Sequence, residues 1–216
     1  AIYQMNLDLG GKFAIFGGIK RRFELYSRNI HHLDVLLGNI CRCDVYSNVS
    51  LKSRKSENMD IIAAQNTHID ELVRLNALVQ EIHSERYPGI FKYPIDFQSV
   101  KEEFQSNISN EDHFIYIALA NNDVVGYIWA QHMKRPESAL AYAARKMYIH
   151  HISVSKSQRR CSIGKLLIER IEKEANSLNV DYIALDVWCF NQGAESFFKG
   201  AGYEPFNINM WKRRVS

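Results

Sequence analysis

Ile152 to Leu167 reads Ile-Ser-Val-Ser-Lys-Ser-Gln-Arg-Arg-Cys-Ser-Ile-Gly-Lys-Leu-Leu: an apolar strand end, a polar loop, and a helix opening near Ser162 to Gly164. The first N–H groups of a helix have no partner within it, and the aligned peptide dipoles leave that end positive. A small residue there lets an anion approach the backbone, an arrangement suited to a pyrophosphate. Arg159 and Arg160 add charged donors for phosphate, and Cys161, Ile163 and Lys165 complete the turn. No Gly-Lys-Ser/Thr triplet occurs, so this is not a nucleotide-triphosphate loop. A capped strand–helix turn with solvated arginines is the plainer reading of the same residues. Just upstream stand His150 and His151. An imidazole titrates near neutrality and can take a proton from an attacking nucleophile. Adjacent strand residues face opposite sides. With Ile152 and Val154 turned to the core, His150 goes with them and His151 goes with Ser153. Which side faces a cleft stays open, and a half-exposed sheet histidine is the plainer reading of each.

A second segment runs Leu185-Asp-Val-Trp-Cys-Phe-Asn191-Gln-Gly-Ala194-Glu-Ser-Phe197-Phe198-Lys-Gly-Ala-Gly202-Tyr203. A strand ends near Trp188, Asn191 can cap the next helix, and Gly202 follows that helix. In this order and spacing the two segments resemble the GNAT superfamily of N-acetyltransferases. The family's Arg/Gln-x-x-Gly-x-Gly/Ala turn stands here as Arg159-Arg-Cys-Ser162-Ile-Gly164. Its Asn-x-x-Ala-x-x-Phe-Tyr-x-x-x-Gly-Phe pattern stands as Asn191 to Tyr203.

The resemblance covers roughly residues 59–216. It implies a mixed, mostly antiparallel twisted α/β sheet flanked by helices, with acetyl-CoA as the cofactor. The backbone of Ile152, Ser153 and Val154 would then pair with the pantetheine arm, and Arg159 to Lys165 would hold the pyrophosphate. Asn191 and Phe198 would contact the cofactor, with a plain helix cap as the equal alternative for Asn191 and core packing as the plainer reading of Phe198. His151 or His150 would take the proton of the amine. Two departures stand out. Ser162 replaces the first loop glycine, where a left-handed backbone suits serine less well. Phe198 replaces the tyrosine that protonates the departing thiolate, which leaves that role vacant or filled elsewhere. On the acceptor side the candidates are Glu81, Glu85, Tyr87, Tyr93 and Trp129. A solvated helix face is the plainer reading of the glutamates, and core packing that of Trp129.

The elements that must position these residues follow from periodicity. Met59 opens a strand, and Thr67 to Asp70 starts a helix with apolar residues at 69, 72, 73, 75, 79 and 82. Tyr87-Pro-Gly89 ends it, and Asp96 starts a second helix. His113 to Ala120 and Val124 to Met133 form a hairpin around Asn121-Asn122-Asp123. Tyr142 to Val154 is a strand, Gly164 to Leu178 a helix, Tyr182 to Trp188 a strand and Gly193 to Lys199 a short helix. Tyr203 to Arg213 is extended. Upstream, 1–58 reads as an extension of uncertain structure: short extended pieces between glycine pairs, a helix over Ile30 to Ile40, and a Ser/Lys/Asn-rich linker over Ser47 to Asn58. Met59 could itself be a natural start.

Length and charge set the outer bounds. The chain has 216 residues, 46% of them apolar and 12% aromatic, enough to pack one core. Its net charge is +3, yet nine Lys and Arg against five acids fall in 1–58, and eighteen against nineteen in 59–216. The domain proper therefore has no polycationic face for nucleic acid. No stretch is long and apolar enough to span a membrane. Cys41, Cys43, Cys161 and Cys189 lack metal-hairpin spacing, and the chain reads as cytoplasmic. The leading expectation is direct transfer of an acetyl group to an amine in a ternary complex. The acceptor would be a small-molecule amine or a protein amino group, and the resemblance is compatible with a homodimer. A non-catalytic acyl-CoA-binding module is the alternative that Phe198 keeps open.

Overall fold

The computed structural model describes residues 59–212 and Arg214; the expectations for 1–58, Cys41 and Cys43 included, lie outside the described residues. The elements in order are β1 (Met59–Ala63), α1 (Ile69–Arg86), α2 (Phe97–Ile108), β2 (His113–Ala120), β3 (Asp123–Arg135), β4 (Ala144–Val154), α3 (Ile163–Ser177), β5 (Tyr182–Leu185) and α4 (Gln192–Gly200). The five strands lie in sequence order in one sheet. β1 to β4 pair antiparallel, and β4 with β5 pair parallel. Among the described residues no helix is long and apolar enough to cross a membrane.

Local chemistry explains most boundaries. Asn121 and Asn122 take φ of 51° and 70°, the left-handed pair that a two-residue hairpin turn needs and asparagine tolerates. Asp96 caps α2 by accepting from the N–H groups of Gln98 and Ser99. The start of α1 differs from expectation. A 3-10 turn over Asn66–His68 precedes it, and the reciprocal cap joins Gln65 and His68, with no role for Thr67. β5 stops at Leu185, three residues before Trp188, because its parallel pairing with β4 ends at Ile149–Leu185. No strand is assigned beyond Gly200 among the described residues.

The sheet is covered on both sides, as its near-continuous apolar strands require. On one face α3 and α4 bury Ile163, Leu167, Ile168, Ile171 and Phe198 against Ile128, Ala130, Met147 and Ile149. On the other, α1 and α2 bury Leu72, Leu75 and Phe104 against Ile117, Tyr127 and Trp129. Each fully buried aliphatic of this kind contributes about 1.5–3 kcal/mol. Two glycines let α3 come close enough to place its N-terminus. A Cβ on Gly126 would stand 3.0 Å from the Ser153 carbonyl oxygen and 3.3 Å from Ile163, and one on Gly164 would stand 3.0 Å from the Phe197 ring.

Candidate active site

After Val154 the chain turns away from β4. Ser155 N–H donates to the Val125 carbonyl (2.8 Å), a 3-10 turn spans Lys156–Gln158, and Arg160 and Ser162 both adopt left-handed backbone, φ 64° and 61°. The first helical bond of α3 runs from Leu166 N–H to the Ser162 carbonyl (3.1 Å). The N–H groups of Ile163, Gly164 and Lys165 thus have no partner within the helix, and the Ser162 hydroxyl does not cap them. Successive turns of this kind form a concave, positive patch of backbone N–H groups. Arg160 is exposed beside it, and Lys165 pairs with Glu169 at 3.7 Å. Arg159 folds back, its Nε–H donating to the Val154 carbonyl (3.2 Å). Ile163 is buried and Cys161 half-buried against the α3 core, so both offer backbone to the cradle and apolar side chains to the core.

The left-handed Ser162 leads directly to a test. L-residues other than Gly, Asn and Asp carry a penalty there, so Ser162→Gly is expected to stabilise the fold by about 1 kcal/mol, partly offset by unfolded-state entropy. Thermal unfolding should show a midpoint about 2–4 °C higher, and an unchanged or lower midpoint would count against the strain.

Beyond the Ile149–Leu185 pair, β4 and the chain leaving β5 diverge. Residues 150–154 of β4 therefore pair with β3 on one side only among the described residues, leaving a backbone edge open toward the cradle. Ile152 and Val154 pack toward α3. The Ser153 side chain turns the other way and is consumed: it is buried and its hydroxyl donates to the Leu75 carbonyl (2.9 Å). Its backbone is in register with Tyr127 as a hydrogen-bonded pair of the β3–β4 ladder, so the outward backbone groups are those of Ile152 and Val154. Asn191 acts as the cap of α4, its Oδ1 accepting from Ala194 N–H (3.1 Å). Phe198 is 7% exposed. It lies in the α3–α4 core, packed on Phe197 and Tyr203 with ring centroids 5.1 and 5.7 Å away.

The histidines are placed by a β-bulge. Trp129 pairs with His151 and Ala130 with Ile149, so His150 is the extra residue. A bulge breaks the strict alternation, and both imidazoles reach the α1–α2 face. His150 does not join Ile152 and Val154, as alternation predicted; His151 does share its face with Ser153. Trp129 touches both, with centroids 4.9 Å from His150 and 5.3 Å from His151. Asn76 Nδ2 donates to His151 Nδ1 (3.2 Å) and to the Tyr127 hydroxyl (3.0 Å), which places the His151 proton on Nε2. His150 Nε2–H donates to Gln131 Oε1 (3.0 Å), leaving Nδ1 as a proton acceptor. Burial pushes the His151 imidazole down to about 4, with the nearby charges of His150 and His83 acting in the same direction. His150 is also lowered, chiefly by burial and then by His113 and Lys146. Both are neutral near pH 7.

The five expected acceptor-side residues separate. Trp129 packs against the histidines. Tyr87 joins an aromatic cluster with His83, Phe91, Trp188, Phe190 and Trp211, its rings 5.0–6.4 Å apart. Glu81 is paired at 3.8 Å with Lys156. Glu85 and Tyr93 line a shallow cavity of about 520 Å³ with Phe91 and Pro94, and no β4 residue borders it. Sequence reasoning missed Tyr148 and Asp186, whose hydroxyl and carboxylate meet at 2.6 Å beside His150. The alternation Leu185, Val187 on the core side was the available signal, since it turns Asp186 and Trp188 to the histidine side. Among the described residues no cluster suited to a metal ion occurs.

Comparison with known proteins adds to this geometry. Residues 76–203 match the Acetyltransferase (GNAT) family. A solved structure of a single-site mutant of the Bacillus halodurans protein BH1408 superposes with a TM-score of 0.69 at 22% identity, covering 72% of this chain and 99% of that one. Aminoglycoside N-acetyltransferase AAC(6')-Iy in complex with CoA gives 0.59 at 16% identity, covering 76% and 100%. A predicted acetyltransferase of Clostridium acetobutylicum, solved with acetyl-CoA, gives 0.57 at 19% identity, covering 72% and 96%. No curated protein matches the sequence. The expected fold, a mixed sheet flanked by helices, is the one these structures share, and with the match spanning more than half its length the chain belongs to the GNAT acetyltransferase family.

Proposed function

We propose that this chain transfers an acetyl group from acetyl-CoA to a primary amine, by direct attack in a ternary complex. One observation carries the reading: the α3 start, whose first N–H groups have no partner in the helix, follows in the chain on the part of β4 that lies beyond the β5 pairing and holds the two histidines. That stretch fits coenzyme A on its own terms. The Arg160–Ser162 turn and α3 terminus suit its pyrophosphate, and the outward backbone groups of Ile152 with the Val154 N–H suit the amides of its arm. Acetyl-CoA supplies a reactive thioester, so the protein's task is mostly to position it beside the amine.

The residues then divide the work. His150 Nδ1 takes the proton from the attacking amine, directly or through one water. As the carbon–nitrogen bond forms, the carbon–sulfur bond breaks and the thiolate takes a proton from water, because Phe198 has no hydroxyl. His151 is tied to Asn76 and holds position with Trp129. A second reading, a binding module without turnover, draws support from the burial of Phe198 and the missing hydroxyl.

Thiol release by the full chain with acetyl-CoA and a panel of primary amines separates the two, alongside calorimetric titration with acetyl-CoA. Amine-dependent thiol release is the expected result. Tight acetyl-CoA binding with no release for any amine would favour the binding module, and absence of binding would defeat both.

A further inference from the structure

Facing the histidines is a lining that the family match does not assign. Asp186 and Trp188 alternate along the chain leaving β5, while Ile183, Leu185 and Val187 pack into the opposite core. Asp186 is exposed, and one of its oxygens, Oδ2, accepts from the Tyr148 hydroxyl. The Tyr148 ring stands edge-on to His150 at 5.0 Å. Trp188 packs at 5.1–6.2 Å from the rings of Phe91, Tyr87 and His83. His83 in turn lies close enough for its charge to act on His151. The contacts form two runs: Asp186, Tyr148, His150, Trp129 and His151 in one, and His83 with Trp188 in the other, with Trp188 two residues after Asp186 in the chain.

We infer that this lining selects the acceptor as a cationic amine on an apolar, preferably aromatic, body, with Asp186 holding the ammonium and Trp188, Tyr87 and Phe91 taking the body. This deepens, and rests on, the acetyltransferase reading. Two features of the lining support it. The second Asp186 oxygen has no partner among the described residues, and Lys146, which lies 5.0 Å from the Tyr148 ring centroid, forms no ion pair with it. The aromatic wall suits a hydrocarbon or aryl body, with a cation–π attraction where the ammonium meets a ring face. It offers few side-chain donors to a polyhydroxylated sugar, whose hydroxyls would be desolvated without replacement. Asp186 acts on binding and orientation; the proton still passes to His150 Nδ1.

The test compares 2-phenylethylamine, a straight-chain diamine and kanamycin as acceptors, with wild type, Asp186→Asn and Trp188→Leu. Removing the charge on Asp186 should raise KM for phenylethylamine about 10–100-fold. Affinity for acetyl-CoA, measured by calorimetry, should stay the same. Trp188→Leu should erode the preference for phenylethylamine over the diamine by about tenfold or more. Quenching of tryptophan fluorescence by each amine gives a readout that does not need turnover. If amines bind with this preference and Asp186 dependence but no thiol appears, the site assignment stands and the catalytic reading falls. Preferred acetylation or binding of kanamycin, or an Asp186→Asn variant with unchanged amine KM and quenching, would overturn the inference, as would no binding of any of the three.

Discussion

Trp129→Ala is expected to destabilise the domain by about 3–5 kcal/mol, the largest single effect among the substitutions considered. The indole is 4% exposed and stands where β3, β4 and α2 meet. Its ring contacts Phe104, His113, His150 and His151 at 4.9–5.8 Å, and its N–H donates to His113 Nδ1 at 2.8 Å. Truncation removes the packing of a whole ring and leaves the His113 nitrogen without its donor, two losses that add. Trp129→Phe keeps most of the area and removes the hydrogen bond, so it should cost about 1–2 kcal/mol. Urea unfolding at constant m would read the two values. A loss below about 1 kcal/mol for the alanine variant would mean that the region repacks around the void. Activity should fall further than stability in Trp129→Ala, because both histidines lose the surface that fixes them.

How far this site could be read from sequence differs residue by residue. The cradle was legible because a strand–turn–helix is local: Arg159 to Lys165 are contiguous, and the consequences of a helix start need no tertiary information. The left-handed backbone at Ser162 was implied by the glycine that the resembling family carries at that place, and the structure shows it there. The orientation of His150 was not. Strand alternation assumes an unbroken ladder, and the bulge opposite Trp129 and Ala130 reverses it at that residue. Nothing in the string His150-His151 marks a bulge, since it depends on the pairing with β3. The Tyr148–Asp186 contact depends in the same way on the parallel pairing of β4 with β5, 38 residues apart. For Glu81 and Glu85, helical spacing fixes which face they share, and not which neighbour that face meets. One meets Lys156 and the other lines a separate cavity.

The two faces of the sheet carry different duties. The α3–α4 face is apolar at Ile163, Leu167 and Phe198, and through Gly126 and Gly164 it fixes the α3 terminus against the strands. The α1–α2 face instead buries Ser153, Tyr127 and His151 and ties each to α1 by a side-chain hydrogen bond. Most buried polar groups in folded proteins are paired, and the pairing here makes α1 a positioning element for β4.

Acid should unfold this arrangement from the side of His151. Its imidazole is neutral in the folded protein down to about pH 4, whereas in the unfolded chain it protonates near the ordinary 6.5. Between those limits the unfolded chain binds the extra proton, so stability rises with pH and is lost as pH falls. The gap corresponds to about 3 kcal/mol when fully expressed, and to about 2 kcal/mol by pH 5. His83, His113 and His150 are lowered chiefly by burial and act with the same sign. His151→Gln keeps a neutral acceptor for Asn76 and cannot protonate. The variant should start less stable at pH 7.5, through lost ring packing, and lose about 2 kcal/mol less than wild type between pH 7.5 and 5. Urea midpoints across that range give the measurement. Parallel stability–pH curves for the two proteins would show that His151 protonates as readily in the fold as outside it, and would remove it as the acid-sensitive point of the β4 bulge.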